Sequence, residues 1–434
     1  MRRLFSVALL WVGCGRTELA PPGVTSTALA DAAVVDGSTT DAGRCQLYYL
    51  TPPVLYAMPN AMGNVLPGDF TGDGALDILI GEGQGDAGEL FTNDGTGSFA
   101  KRPLIASPDI NFRNAAAGDF NQDGRLDIAS QSDGSLGIDF GVGGGALSPA
   151  AVSSATPYQQ GALAAGDFNG DGRPDLAFAG VTMGPAATTG WGLPGAPVPQ
   201  SFGLVVYMNS GGGGFALPVT YSTATTIRSL ATGDFNGDGH LDLVAAAGDS
   251  LAVYINAGDG TFGDARLVYV SEVGPYGLAV ADFDSDGLDD IATATTTDAD
   301  AGSSSVLEVF TSWRGGGYGA PIADVLATSP QFVGLVAGDF NGDGLPDLVT
   351  AFPRSNGGAA ASSAPIAVFL NQGGGHFGGA VTYATRTDGL PYILSFASAD
   401  FNGDGVPDLA VTVENQDFEN PDEVAVLLSR CAQR

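Results

Sequence analysis

Apolar and polar positions along this chain alternate in short runs, and the runs recur in groups of four. One run precedes an acidic stretch, as in Leu278-Ala279-Val280, and a second follows it, as in Leu243-Val244-Ala245. A third, Val253-Tyr254-Ile255-Asn256, is closed by the turn Gly258-Asp259-Gly260. The fourth carries Arg266-Leu267-Val268-Tyr269. Runs of this length, bounded by glycine and aspartate and lacking a 3.6-residue period, predict β-strands. We label them A, B, C and D, which makes the acidic stretch the A–B connection.

That stretch starts at Asp69, Asp119, Asp167, Asp234, Asp282, Asp339 and Asp400, at intervals of 50, 48, 67, 48, 57 and 61 residues. Four-strand units repeated at this spacing predict propeller blades. The expected fold is therefore all-β: a seven-bladed β-propeller with four antiparallel strands per blade.

The two chain ends complement each other. The seventh copy supplies strands A, B and C, the last over Val424–Leu428, and then the chain stops. Tyr56 lies 13 residues before Asp69, as Tyr221 does before Asp234 and Tyr269 before Asp282. Pro52–Tyr56 is thus expected to be the outer strand of the last blade, closing the ring without a free seam. Cys45 and Cys431 align with the C–D turn that this blade lacks. In an exported protein they are expected to form a disulfide across that gap.

Within each acidic stretch, positions 1, 3, 5 and 9 carry side-chain oxygens. The sets are Asp69, Thr71, Asp73 and Asp77; Asp119, Asn121, Asp123 and Asp127; Asp167, Asn169, Asp171 and Asp175; Asp234, Asn236, Asp238 and Asp242. The remaining three are Asp282, Asp284, Asp286 and Asp290; Asp339, Asn341, Asp343 and Asp347; Asp400, Asn402, Asp404 and Asp408. Position 6 is always glycine, which a sharp turn with positive φ requires. Three carboxylates about 5 Å apart repel by roughly 3 kcal/mol per pair at an effective dielectric of 20, so such a loop calls for a cation. Hard oxygen donors at high coordination favour Ca²⁺ over Mg²⁺, with up to seven ions per chain. Position 2 is always phenylalanine, expected to pack between neighbouring blades.

Charge follows from this inventory. The formal net charge is −32, and the ligand positions hold 22 of the 48 acidic residues. Such a surface excludes nucleic acid, whose phosphates need lysine and arginine.

These Asp-Phe-[Asn/Asp/Thr]-x-Asp-Gly-x-x-Asp stretches resemble the FG-GAP or VCBS repeats, a family that includes the N-terminal propellers of integrin α subunits. The resemblance covers residues 45–434 and implies calcium at positions 1, 3, 5 and 9. Thr71 departs from the pattern at position 3, Gln122 and Ser285 at position 4, and Asp289 at position 8.

The beginning of the chain reads differently. Met1-Arg2-Arg3 and the apolar run Leu4–Gly13 form a secretory signal too short to span a bilayer. Residues 1–14 resemble a bacterial lipoprotein signal with Cys14 as the lipidated residue; cleavage after Ala28-Leu29-Ala30 is the alternative. Residues 15–44 are expected to be a flexible tether. These features point to a monomeric lipoprotein of the bacterial envelope, outer membrane or cell surface, or else a secreted protein, meeting the membrane only through its lipid.

If strands alternate in direction, A–B and C–D loops share one face of the ring and B–C and D–A loops the other. The long insertions Gly180–Phe202, Thr296–Ser305, Pro353–Pro365 and Glu414–Glu423 all fall in B–C loops. The candidate ligand residues of that second face are Phe112, Arg113, Tyr158, Trp191, Arg228, Tyr276, Phe332 and Tyr392. Catalytic constellations are missing from the sequence. Its two histidines, His240 and His376, have no nucleophile and acid at motif spacing. The expected role is a non-enzymatic binding or adhesion module for a protein or glycan. An extracellular carbohydrate-active enzyme of the lyase or dehydratase type, or a purely structural envelope protein, are the alternatives.

Overall fold

The computed structural model describes residues 48–58, 64–81, 88–103, 115–132, 135–148, 153–155, 162–183, 199–270, 275, 277–297, 304–315, 317–327, 334–351, 365–384, 391–415 and 422–431. Among the described residues, seven antiparallel sheets form the blades, each in the order A–B–C–D, with an extra strand, Ala146–Ser148, on strand C of blade 2 and three two-stranded ribbons besides. Blade 1 runs through Val65–Gly68, Asp77–Ile80, Glu89–Asn93 and Phe99–Pro103. Blade 4, the most regular, runs through Ile227–Gly233, Asp242–Ala247, Ser250–Tyr254 and Arg266–Tyr269. Neighbouring A strands touch from blade 1 round to blade 7 and back again, which closes the ring. Among the described residues no helix is long and apolar enough to cross a membrane.

Closure is achieved as the sequence predicts, with a two-residue shift. The outer strand of blade 7 is Val54–Met58, paired with Asp422–Leu427. Pro52 and Pro53 have no N–H to give a ladder, so pairing begins after them. Its end at Met58 buries that side chain in the seam with blade 1. A second short pairing, Tyr48–Leu50 on Ser429–Cys431, stands where the other blades make a covalent C–D hairpin. Cys431 lies opposite Tyr48 in that pairing. Cys45, its expected disulfide partner, lies outside the described residues, as does Cys14.

The core consists of seven slabs, one per seam between blades. Strands B and C are buried on both faces, so they read as continuous apolar runs such as Leu243–Ala247. Each position-2 phenylalanine enters the slab shared with the next blade. Five of them meet an aromatic ring from that blade's C–D hairpin. The pairs are Phe401–Phe99, Phe120–Phe215, Phe168–Phe262, Phe235–Tyr318 and Phe283–Phe377, with centroids 5.5 to 6.3 Å apart. Edge-on pairs, which four of these are, with Phe120–Phe215 tilted, add about 0.5–1.5 kcal/mol beyond their burial. In the other two seams leucine replaces the ring: Leu147 shares a slab with Phe70, and Leu50 with Phe340.

Strands B and C extend further than the apolar runs alone indicate. In blade 3 they pair from Leu176–Tyr207 out to Met183–Pro199, which shortens the expected Gly180–Phe202 insertion to 184–198. The A strands of blades 4 and 7 are longer too. Arg228 therefore lies inside strand A of blade 4, at a β-bulge between Ile227 and Ser229, and is exposed. Tyr392 lies in strand A of blade 7, opposite Glu414. Neither sits in a D–A loop.

Candidate metal centres

All seven A–B loops fold alike, because the same few side chains organise the same backbone amides. The position-1 aspartate accepts N–H bonds from positions 5 and 6. In loop 4, Asp238 and Gly239 donate to Asp234 at 3.1 and 2.9 Å. Position 5 accepts from the amide at position 7, as Asp238 does from His240 at 2.9 Å. The glycine at position 6 has φ between 83° and 92° in every copy. Position 4 also needs positive φ, and Gln122 and Ser285 adopt it at 63° and 65° without being glycine.

Position 9 is the structural hinge of each blade. All seven of these aspartates are fully buried. One oxygen accepts the N–H of the position-2 phenylalanine, as in Phe235 to Asp242 at 3.1 Å. The other accepts the N–H of a residue near the end of strand C, as in Asn256 to Asp242 at 2.7 Å. The same two bonds recur at Asp77, Asp127, Asp175, Asp290, Asp347 and Asp408. Each position-9 carboxylate thus joins the A–B loop to the C–D turn. Burial raises these carboxyls despite the amides: Asp127 and Asp175 to about 6, Asp242 and Asp290 to about 7, and Asp347 and Asp408 to about 8. A buried carboxyl in that range is one whose charge lacks a nearby counter-charge.

The donor set fits a hard cation. In loop 5, carboxylate oxygens of Asp282, Asp284 and Asp290 lie within 4.8 Å of one another. Burial and the neighbouring Asp286 charge raise Asp284 as well. In loop 1 the Thr71 hydroxyl, at position 3, is shielded from solvent beside Asp77, whose carboxyl it helps to lower against the rise that burial causes. In loops 4 and 6 the position-3 amides of Asn236 and Asn341 donate to the position-5 carboxylates at 2.9 and 3.0 Å. Loops 2 and 3 carry a position-7 arginine there instead: Arg125 reaches Asp123 at 3.1 Å, and Arg173 reaches Asp171. These donors answer the repulsion among the carboxylates locally, loop by loop.

One set of residues was not anticipated. Asn93, Asn209, Asn256 and Asn371, each at or just past the end of strand C, send their side-chain amide across a seam. Each donates to the carbonyl of the preceding blade's position-2 phenylalanine, at 2.7 to 2.9 Å. Every A–B loop on such a seam is bolted to its neighbour. The recurring Asn-x-Gly after strand C was the available signal. Of the candidate ligand residues on the opposite face, Phe112, Arg113, Tyr158, Trp191, Tyr276 and Phe332 lie outside the described residues. Arg228 and Tyr392 are placed as above.

The FG-GAP-like repeat model matches residues 69–130, 119–178, 199–245, 234–293 and 358–411, and the FG-GAP repeat model matches 333–364. Comparison with curated proteins finds no match. Among solved structures, the chain is similar to an Agrocybe aegerita lectin described as recognising non-reducing terminal N-acetylglucosamine. The TM-score is 0.52 at 17% identity, covering 81% of this chain and 86% of the lectin. It is also similar to BBS1N, solved in complex with ARL6DN, with a TM-score of 0.50 at 14% identity, covering 89% and 97% of the two chains. At these identities the likeness is one of fold.

Proposed function

The chain belongs to the FG-GAP-like repeat family, and from that premise we propose that it is a calcium-stabilised, non-enzymatic binding module for a protein or a glycan, carried on the bacterial envelope. The observation that carries the calcium part is the convergence of oxygen donors, clearest at Asp282, Asp284 and Asp290. Positions 1, 3 and 5 would hold the ion from the solvent side, with position 9 beneath it. The ion would neutralise the carboxylates and so fasten the A–B loop over the seam.

The division of faces supports the binding part. A–B and C–D loops are tied together by position 9, so the other two loop sets share the opposite face. Loops on a rigid scaffold are where ligands are bound. Tyr48 and Cys431 are paired beside the metal loops. A lipid tether at Cys14 would therefore join the propeller on that side and leave the opposite face clear of the attachment point. The lectin and the BBS1N complex are similar folds that engage a glycan and a protein respectively.

A glycan array and a surface-protein pull-down, run with the parent chain and Trp191→Ala, test this reading. A ligand captured by the parent and lost in the variant supports it. No ligand in either assay points to a structural envelope protein. Turnover of a polysaccharide would place the chain among carbohydrate-active enzymes.

A further inference from the structure

Position 8 of each loop is a seam position. Leu126, Pro174, Leu241 and Pro407 lie so close to a glycine of the preceding blade that a Cβ there would approach them to between 2.6 and 3.3 Å. At the seam between blades 4 and 5 the glycine is Gly233 and the position-8 residue is Asp289, whose Cβ is 3.1 Å from that point. This is the one loop with a hydrogen-bonding side chain at position 8; the others have leucine or proline. The Asp289 carboxylate accepts the Asp234 N–H at 2.8 Å. Its own N–H donates to the Asp234 carbonyl at 3.2 Å. Both backbone groups of the first ligand position of loop 4 are thus held by one residue of loop 5.

From this arrangement, and resting on the calcium reading above, we infer that Asp289 makes loops 4 and 5 take up calcium as a coupled pair, with loop 5 leading. Loop 5 leads because it alone has carboxylates at all four ligand positions. Asp289 is flanked by Leu288, whose N–H donates to Asp286 at 2.9 Å, and by the ligand Asp290. The Ser312 hydroxyl holds the Asp289 carbonyl at 2.8 Å. An ion in loop 5 fixes Asp286 and Asp290, and with them the main chain of Asp289. That fixes Asp234, whose carboxylate already gathers the amides of loop 4. The ordering cost of the second site falls, which is positive coupling through rigidity. Asp289 acts here as a positioning residue; it is not a ligand.

Native mass spectrometry of the full chain at controlled free calcium tests the coupling with three variants. Asp286→Asn weakens loop 5 at an exposed ligand. Asp289→Leu places at the seam the residue that loops 2 and 4 already use there, so the fold is kept. Asp289→Asn keeps an oxygen to accept the Asp234 N–H but removes the charge. We expect Asp286→Asn to lose two ions together. Asp289→Leu should weaken one other site by about tenfold, and Asp289→Asn should stay within about twofold of the parent. Loss of a single ion in Asp286→Asn, or equal weakening by both Asp289 variants, overturns the coupling but leaves calcium binding intact. A chain that takes up no calcium overturns both.

Discussion

Asn256 spans the seam between blades 3 and 4, its side-chain amide donating to the Phe168 carbonyl at 2.7 Å, 88 residues away in sequence. The same amide donates to Leu241, and its oxygen accepts the N–H groups of Gly258 and Gly260. One buried side chain therefore closes the C–D turn and locks it to the neighbouring blade's A–B loop.

Asn256→Ala should cost about 2–3 kcal/mol, since it strands buried carbonyls and amides together. Asn256→Ser should recover part of the loss. Serine stands at this place in blades 5 and 7, where Ser312 and Ser429 bond to the loop carbonyls of their own blades. Urea unfolding of both variants measures the order.

Gln122 and Ser285 occupy left-handed backbone that five other loops give to glycine. Gln122→Gly and Ser285→Gly should each stabilise the protein by about 1 kcal/mol. Gly237→Ala, at φ 75°, should destabilise it by at least as much. Paired denaturant titrations read this difference.

Asp347 and Asp408 titrate near 8 in the ion-free fold, pushed there by burial. In the unfolded chain they would titrate near the ordinary value of about 3.9. The fold then binds their protons more tightly, so the ion-free protein loses stability as pH rises from about 4 through 8. Bound calcium would need the charged form and would reverse the slope, because protons would displace it on acidification. Melting temperatures with and without divalent ions should coincide near pH 4 and diverge as pH rises towards 8.

Leu50 fills the slab against Phe340, where five other seams have an aromatic ring from the hairpin. Leu50→Ala should cost about 2–5 kcal/mol. The loss should appear as early unfolding of the closing blade, read by hydrogen exchange at Val54–Met58.

The ring, its seven blades and the closing strand were legible in the sequence because each rests on a local signal repeated many times. Phe235 could be assigned to a seam because all seven copies carry the ring. The double role of Asp242 was not legible. A ligand position and a buried hinge both call for aspartate, and only the fold shows that its two oxygens meet amides of Phe235 and Asn256. The Asn256–Phe168 bond escaped for a related reason: its partners belong to different repeats, and within one repeat the asparagine looks like a turn residue. Arg228 was misplaced because a bulge, which no periodicity marks, lets strand A run past it. Asp289 was visible as an exception, but its partner Asp234 lies one blade away.

Thermal unfolding of the full chain in millimolar calcium and after complete chelation is the decisive measurement. Each occupied site at a hundredfold excess over its Kd adds about 2.7 kcal/mol. We predict a large rise in Tm with calcium, reduced when Asp282 and Asp284 are both replaced by alanine. An unchanged Tm would contradict the claim that these loops hold the ions that fasten the ring.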